Sequence, residues 1–81
     1  MLAKVYVTPK SSILDPQGKA ITQSLHSLDY KEVLGVRMGK YLEIELADIP
    51  KAQALTRMEE MCSRLLANGI IEDFRFELVE E

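Results

Sequence analysis

Hydrophobic and polar positions alternate most clearly between Val33 and Leu46, Val-Leu-Gly-Val-Arg-Met-Gly-Lys-Tyr-Leu-Glu-Ile-Glu-Leu. Leu42, Ile44 and Leu46 interleave with Tyr41, Glu43 and Glu45, the period of two that marks a strand with one buried face. Gly39-Lys40 separates this run from Val36-Arg37-Met38, and Gly at the first central position suits a type II′ turn, so the stretch predicts a β-hairpin. A two-residue loop would place Val36 and Met38 on the face opposite Leu42, Ile44 and Leu46. Either a bulge or a longer turn corrects that register, or both faces of the hairpin are partly apolar. The second reading needs no extra device, and it predicts an outer sheet face that something covers.

The remaining pattern flanks this hairpin. Ala3, Val5 and Val7 alternate with Lys4, Tyr6 and Thr8, a strand that Pro9 ends because proline has no N–H for a ladder. Asp15-Pro16 is a helix start, with Asp15 as N-cap and Pro16 at the first helical position. Ile21, Leu25 and Leu28 then form an apolar stripe with Ala20 beside it, and the helix should end near Leu28-Asp29. Gly18, in the first turn, costs about 1 kcal/mol relative to Ala, which close backbone approach would explain.

Asp48-Ile49-Pro50 predicts a second helix by the same logic. Ala54, Leu55, Met58, Met61, Cys62 and Leu65 make its apolar face. Asn68-Gly69 is its stop, with Gly supplying a left-handed conformation. Phe74, Phe76 and Leu78 alternate with Asp73, Arg75 and Glu77 in a last strand.

The order β-α-β-β-α-β with right-handed crossovers predicts an α+β ferredoxin-like sandwich. Its four-stranded antiparallel sheet would carry both helices on one face. The helices would cover Val5, Val7, Leu42, Ile44, Phe74 and Phe76. The outer face would carry Lys4, Tyr6, Tyr41, Glu43, Glu45, Arg75 and Glu77, joined by Val36 and Met38. An apolar centre rimmed by both signs of charge is the anatomy of an association surface.

Composition narrows the functional classes. A chain of 81 residues predicts one domain, 1–81, whose lone copy buries only about 60–65% of its unfolded surface, so a partner would help. The net charge of −3, without a basic block, argues against nucleic acid. Glu43 and Glu45 beside Tyr41 would repel phosphates, and the basic aromatic motif of RNA-binding sheets is missing. No apolar run approaches the roughly 20 residues of a membrane span. Met1-Leu2-Ala3-Lys4 leads straight into a strand, from which no signal peptide and a cytoplasmic setting are expected.

Candidate chemistry is sparse. The single Cys, Cys62, lies among Met58, Met61 and Leu65, where a thiol is normally a small hydrophobe. The single His, His26, has no companion ligands at metal spacing and reads as a surface side chain. Gly18, Gly35, Gly39 and Gly69 match neither the P-loop nor the dinucleotide pattern. Lys10-Ser11-Ser12 precedes a helix start that could attract an anion, but Asp15 competes for the same N–H groups. The residues alone predict an association module with no catalytic, cofactor-binding or metal site.

Two stretches are more specific. Ile13-Leu14-Asp15-Pro16-Gln17-Gly18-Lys19-Ala20 and Val36-Arg37-Met38-Gly39-Lys40-Tyr41-Leu42-Glu43 together resemble the motif pair of the PurS family, the small subunit of phosphoribosylformylglycinamidine synthase. Met61-Cys62-Ser63-Arg64-Leu65-Leu66-Ala67-Asn68 through Ile71-Glu72-Asp73-Phe74 is similar to that family's C-terminal segment, so the resemblance covers the whole chain. The departures are small: Gly69 stands where Pro is frequent, Ser12 where Gly is common, and Leu34-Gly35 before Val36 is unusual.

The resemblance implies a non-catalytic assembly subunit of an ATP-dependent ligase of purine biosynthesis. That ligase converts formylglycinamide ribonucleotide to the amidine with ammonia from glutamine. It implies a homodimer that brings a large synthase subunit and a glutaminase subunit together, with ATP and Mg on the large subunit and none on this chain. Of the matching motif residues, Asp15, Pro16, Gly18 and Gly39 have local structural jobs. Gln17, Arg37 and Lys40 are left as candidate partner contacts, and Tyr6, Val36, Met38 and Tyr41 as a candidate dimer surface. The alternative is a stand-alone dimeric ferredoxin-like regulatory domain that binds a small metabolite.

Overall fold

The computed structural model describes residues 1–80. Three strands and two helices follow one another as β1 (Leu2–Pro9), α1 (Pro16–Ser27), β2 (Lys40–Glu45), α2 (Lys51–Met61) and β3 (Glu72–Val79). A π-helical turn, Cys62–Leu66, extends α2. The sheet is antiparallel in the order β2-β1-β3. Val5 lies opposite Leu42 on one side and Phe76 on the other; Ala3 lies between Ile44 and Leu78.

The alternation in each strand reports its burial. Ala3, Val5 and Val7 of the central strand are fully buried, and Leu42, Ile44, Phe74, Phe76 and Leu78 pack around them. Met58, Cys62 and Ala67 close this core from the helix side. Burial of a side chain of Val or Met size contributes about 1.5–3 kcal/mol.

The hairpin does not form. Residues 33–39 carry no strand, and β2 begins only at Lys40, so the sheet has three strands where the pattern predicted four. Gly39 is not in a type II′ turn, since no glycine has a positive φ. It is small for another reason: a Cβ there would collide with the carbonyl oxygen of Val7. Val36 and Met38 consequently lie off the sheet, in a segment that returns along α1. Contacts from His26 to Val33, from Gly18 to Val36 and from Asp15 to Met38 follow one another down that path.

α1 keeps its expected ends, and α2 departs from expectation at both of its own. Asp15 caps α1 as anticipated, its Oδ1 accepting the Gly18 N–H at 3.0 Å, with Pro16 inside the first turn. The other end closes with Asp29 at φ 75°, the Asp29 N–H donating to the His26 carbonyl and the Tyr30 N–H to the Leu25 carbonyl, a Schellman closure. In α2, Pro50 itself takes the N-cap position and no side chain caps the helix, so Asp48 does not serve there. The π turn shifts the buried series to Ala54, Met58, Cys62 and Ala67, the last step being five residues. That rotation turns Ala67 into the core and leaves Leu65 outside. Asn68, rather than a left-handed Gly69, organises the exit: its side-chain oxygen accepts the Ile70 N–H and its carbonyl accepts from Ile71 and Glu72.

The molecule is long and thin, 49 × 29 × 14 Å, with a radius of gyration of 16.1 Å. A compact chain of this length would have a radius near about 12 Å. The excess is the arm formed by α1 and residues 28–39, whose only buried residue in α1 is Gly18.

Candidate functional site

The base of the arm gathers four of the singled-out motif residues. Asp15 uses both oxygens: Oδ1 caps Gly18, and Oδ2 accepts the Met38 N–H at 2.7 Å, joining residues distant in sequence. These two bonds hold the Asp15 carboxyl below its ordinary pKa, outweighing partial desolvation, with the Arg37 charge adding to the same effect. Gly18 lets the chain cross close by, because a Cβ would strike the Val36 carbonyl oxygen. Arg37 donates from Nη2 to the carbonyl oxygens of Pro9 at 3.0 Å and Lys10 at 2.6 Å. Gly39 then passes against Val7 and Thr8 into β2. Together these contacts lock the direction in which the arm leaves the sheet.

Arg37 therefore has a local role that its sequence context concealed, because the carbonyls it serves are 27 and 28 positions away. Lys40 makes a 3.7 Å ion pair with Glu72, and Gln17 is exposed on the first turn of α1. The three candidate partner contacts thus lie on the arm or on the strand that follows it.

The four candidate surface residues separate into two groups. Tyr6 and Tyr41 meet on the outer sheet face, opposite one another in the β1–β2 ladder, with ring centroids 5.1 Å apart. Arg75 lies over the Tyr6 ring at 3.9 Å, a cation–π contact, and pairs with Glu77 at 3.3 Å. The Tyr41 hydroxyl donates to Glu43 at 2.9 Å. Desolvation, followed by this hydrogen bond and the neighbouring negative charge, pushes the Tyr41 pKa up to about 12. Val36 and Met38 belong to the arm instead.

The thiol of Cys62 is fully buried, and its pKa is raised by burial and by Glu59, so it is not an activated nucleophile. The His26 side chain donates to the Val33 carbonyl oxygen at 2.7 Å, tying the end of α1 to the returning segment. Among the described residues no group of three or more His, Cys, Asp or Glu is placed to hold a metal ion. No helix among them is long and apolar enough to cross a membrane.

The sequence pattern did not locate the concave surface. An apolar groove of about 530 Å³ runs beside α2 on the β2 side, with Leu46, Ile49, Met61 and Leu65 along it and Arg57, Glu60 and Arg64 at its rim. Leu65 is 83% exposed there. Across the molecule, Leu28 is 68% and Leu34 99% exposed on the arm. Helical periodicity anticipated a buried face for Leu28 and Leu65 but could not say that the cover would be absent from their own chain.

Known proteins align with this arrangement along nearly its full length. Residues 2–80 match the family model PurS, described as phosphoribosylformylglycinamidine (FGAM) synthase. The chain is 48% identical over 77 residues to the Bacillus subtilis phosphoribosylformylglycinamidine synthase subunit PurS, covering 95% of this chain and 90% of that one. It is 43% identical over 75 residues to the Synechocystis subunit, covering 93% and 75%. Among solved structures, Bacillus subtilis PurS superposes with a TM-score of 0.83 at 47% identity, over 98% of both chains. A chain in the structure of PurLQS from Thermotoga maritima gives a TM-score of 0.83 at 26% identity, over 98% of this chain and 99% of that one. The chain therefore belongs to the PurS family, a subunit of phosphoribosylformylglycinamidine synthase.

Proposed function

We propose that this chain is a non-catalytic assembly subunit of phosphoribosylformylglycinamidine synthase, acting in the cytoplasm as one PurS-like domain, 1–81. It brings a glutaminase subunit and a large synthase subunit together for the ATP- and glutamine-dependent conversion of formylglycinamide ribonucleotide to the amidine. The observation that carries this reading is the full-length likeness to PurS, including the chain in the Thermotoga PurLQS structure. The exposure of apolar side chains agrees with it: Leu14, Leu28, Leu34, Leu65 and Ile70 are all strongly exposed and available to partner subunits. ATP and Mg belong to the large subunit in this reading.

Gln17, Arg37 and Lys40 are proposed as contacts to the other subunits. Arg37 would act there through the arm it fixes, since its guanidinium already serves Pro9 and Lys10. Tyr6 and Tyr41 on the outer face, and Val36 and Met38 beside α1, are proposed for self-association. The sheet order supports a ferredoxin-like lineage: β2-β1-β3 is the order expected of that sandwich with its outermost strand missing beyond β2. Size-exclusion chromatography of the three subunits with glutamine and ATP tests the reading. Co-elution that disappears when this chain is left out supports it; co-elution of the other two without it opposes it.

A further inference from the structure

The turn between α2 and β3 holds a residue pair that the assembly role does not use. Asn68 is the only asparagine of the chain, and Gly69 follows it. Asn68, Gly69 and Ile70 are all exposed. The backbone of Asn68 is held on both sides: its N–H donates to Glu72 Oε1 at 2.8 Å, and its carbonyl accepts the N–H groups of Ile71 at 3.1 Å and Glu72 at 2.7 Å. Its side-chain Oδ1 accepts the Ile70 N–H at 3.1 Å. A side-chain oxygen bonded two residues ahead folds the amide alongside the intervening peptide, here that of Gly69. The Gly69 N–H has no acceptor among the described residues, and a Cβ at Gly69 would meet no atom within 4 Å, so this nitrogen is free and unhindered. A nucleophilic nitrogen, an amide carbon and an N–H donor on the oxygen that gains charge are the parts of an acyl-transfer site.

We infer that Asn68 is a site of spontaneous modification, at which the folded turn promotes deamidation. The Gly69 N–H loses its proton to water or hydroxide, and the nitrogen attacks Asn68 Cγ. The Ile70 N–H stabilises the oxyanion that develops on Oδ1. The Cγ–Nδ2 bond then breaks, and the side-chain amide takes one proton from solvent and leaves as ammonia. Water opens the resulting succinimide at either carbonyl carbon. Opening at Cγ gives aspartate; opening at the main-chain carbon gives isoaspartate, with Gly69 joined through Cγ and one methylene added to the main chain. Either product is one charge more negative than the original chain, whose net charge is −3. The new carboxylate lies close to Glu72 and Asp73, which are paired with Lys40 and Lys10. The same turn is bonded to the base of the arm, since the Ile71 carbonyl accepts the Lys10 N–H at 2.9 Å and Arg37 holds the Lys10 carbonyl.

The test uses the full chain in mildly alkaline buffer, folded or denatured in urea. The peptide containing Asn68 is followed by mass spectrometry for exchange of NH for O, and chromatography resolves aspartate from isoaspartate. The expected result is conversion several-fold faster in the folded chain than in urea, with both products formed. Conversion at an equal or slower rate in the folded chain overturns the inference. Ile70→Pro removes the oxyanion donor and should abolish the advantage of the folded state; a folded variant that keeps the whole advantage contradicts the role of that N–H. The comparison of folded and denatured wild-type chain decides the inference even where Ile70→Pro fails to fold.

Discussion

Asp15 accepts the backbone N–H of Met38 at 2.7 Å with the oxygen that its own helix cap leaves free. One carboxylate therefore starts α1 and fastens the returning segment to it. Because both bonds favour the charged form, the folded pKa is depressed below the ordinary value of 3.8. The stability it contributes is fully present above the unfolded value and is lost as pH falls through the lower, folded one. Acid unfolding followed by circular dichroism should show this loss below about pH 4. Asp15→Asn supplies only one acceptor, so the variant should be less stable at pH 7 and should lose less between pH 4 and pH 2.

Gly18→Ala should destabilise the protein although Ala is the better helix former. The added methyl meets the Val36 carbonyl and the Asp15 carboxylate, both fixed by the clamp. Overpacking of this kind costs about 1–3 kcal/mol, against a gain of roughly 1 kcal/mol in helix propensity. Urea unfolding should move to lower denaturant; an unchanged or higher midpoint would mean that the segment can simply step away.

Asp29→Gly should act in the opposite direction. Asp29 holds φ 75° in the Schellman closure of α1, where an L side chain is disfavoured. Removing that strain is worth about 0.5–1 kcal/mol after the greater freedom of glycine in the unfolded chain is allowed for. A thermal melt a few degrees higher is the expected result.

Met58→Ala tests the core. Met58, on the inner face of α2, is fully buried in one core cluster with Val5 and Val7 of the sheet. Truncation of such a residue costs about 2–5 kcal/mol, and a domain this small has only about 4–12 kcal/mol in total. The variant should unfold at much lower urea or populate the unfolded state at 37 °C.

Tyr41 should report on the outer face at high pH. Its folded pKa of about 12 exceeds the model-compound value of 10.0, so the unfolded state loses its proton first. Stability should fall as pH rises from 10 towards 12. In an ultraviolet titration Tyr41→Phe should remove a phenol that ionises well above 10.0 and flatten that decline.

How far the sequence could be read depended on the range of the interaction. Strand alternation reports one-sided burial directly, and Val5, Val7, Leu42, Ile44, Phe74 and Phe76 share the inner face as anticipated, although α2 alone covers it and α1, expected beside it, does not. The Asp15 cap and the end of α1 are local and were also legible. Val33 to Met38 was not, because an extended apolar segment beside a helix has the same composition as a strand. Gly39 between two apolar runs looks alike whether it makes a turn or, as here, lets the chain pass Val7. The π turn was hidden because regular helical spacing selects Leu65 for the buried face, whereas the five-residue step leaves Leu65 exposed and packs the neighbouring Leu66 against the core. The partners of Arg37 and the second partner of Asp15 are long-range, and no local signal announces them.

The assembly role is tested most directly by reconstituting the synthase. The large and glutaminase subunits are mixed with ATP and formylglycinamide ribonucleotide, with and without this chain, and amidine formation is followed with glutamine or with ammonia as nitrogen donor. The account predicts that glutamine-driven turnover requires the chain while ammonia-driven turnover of the large subunit proceeds without it. Glutamine-driven turnover at the same rate in its absence would contradict the account.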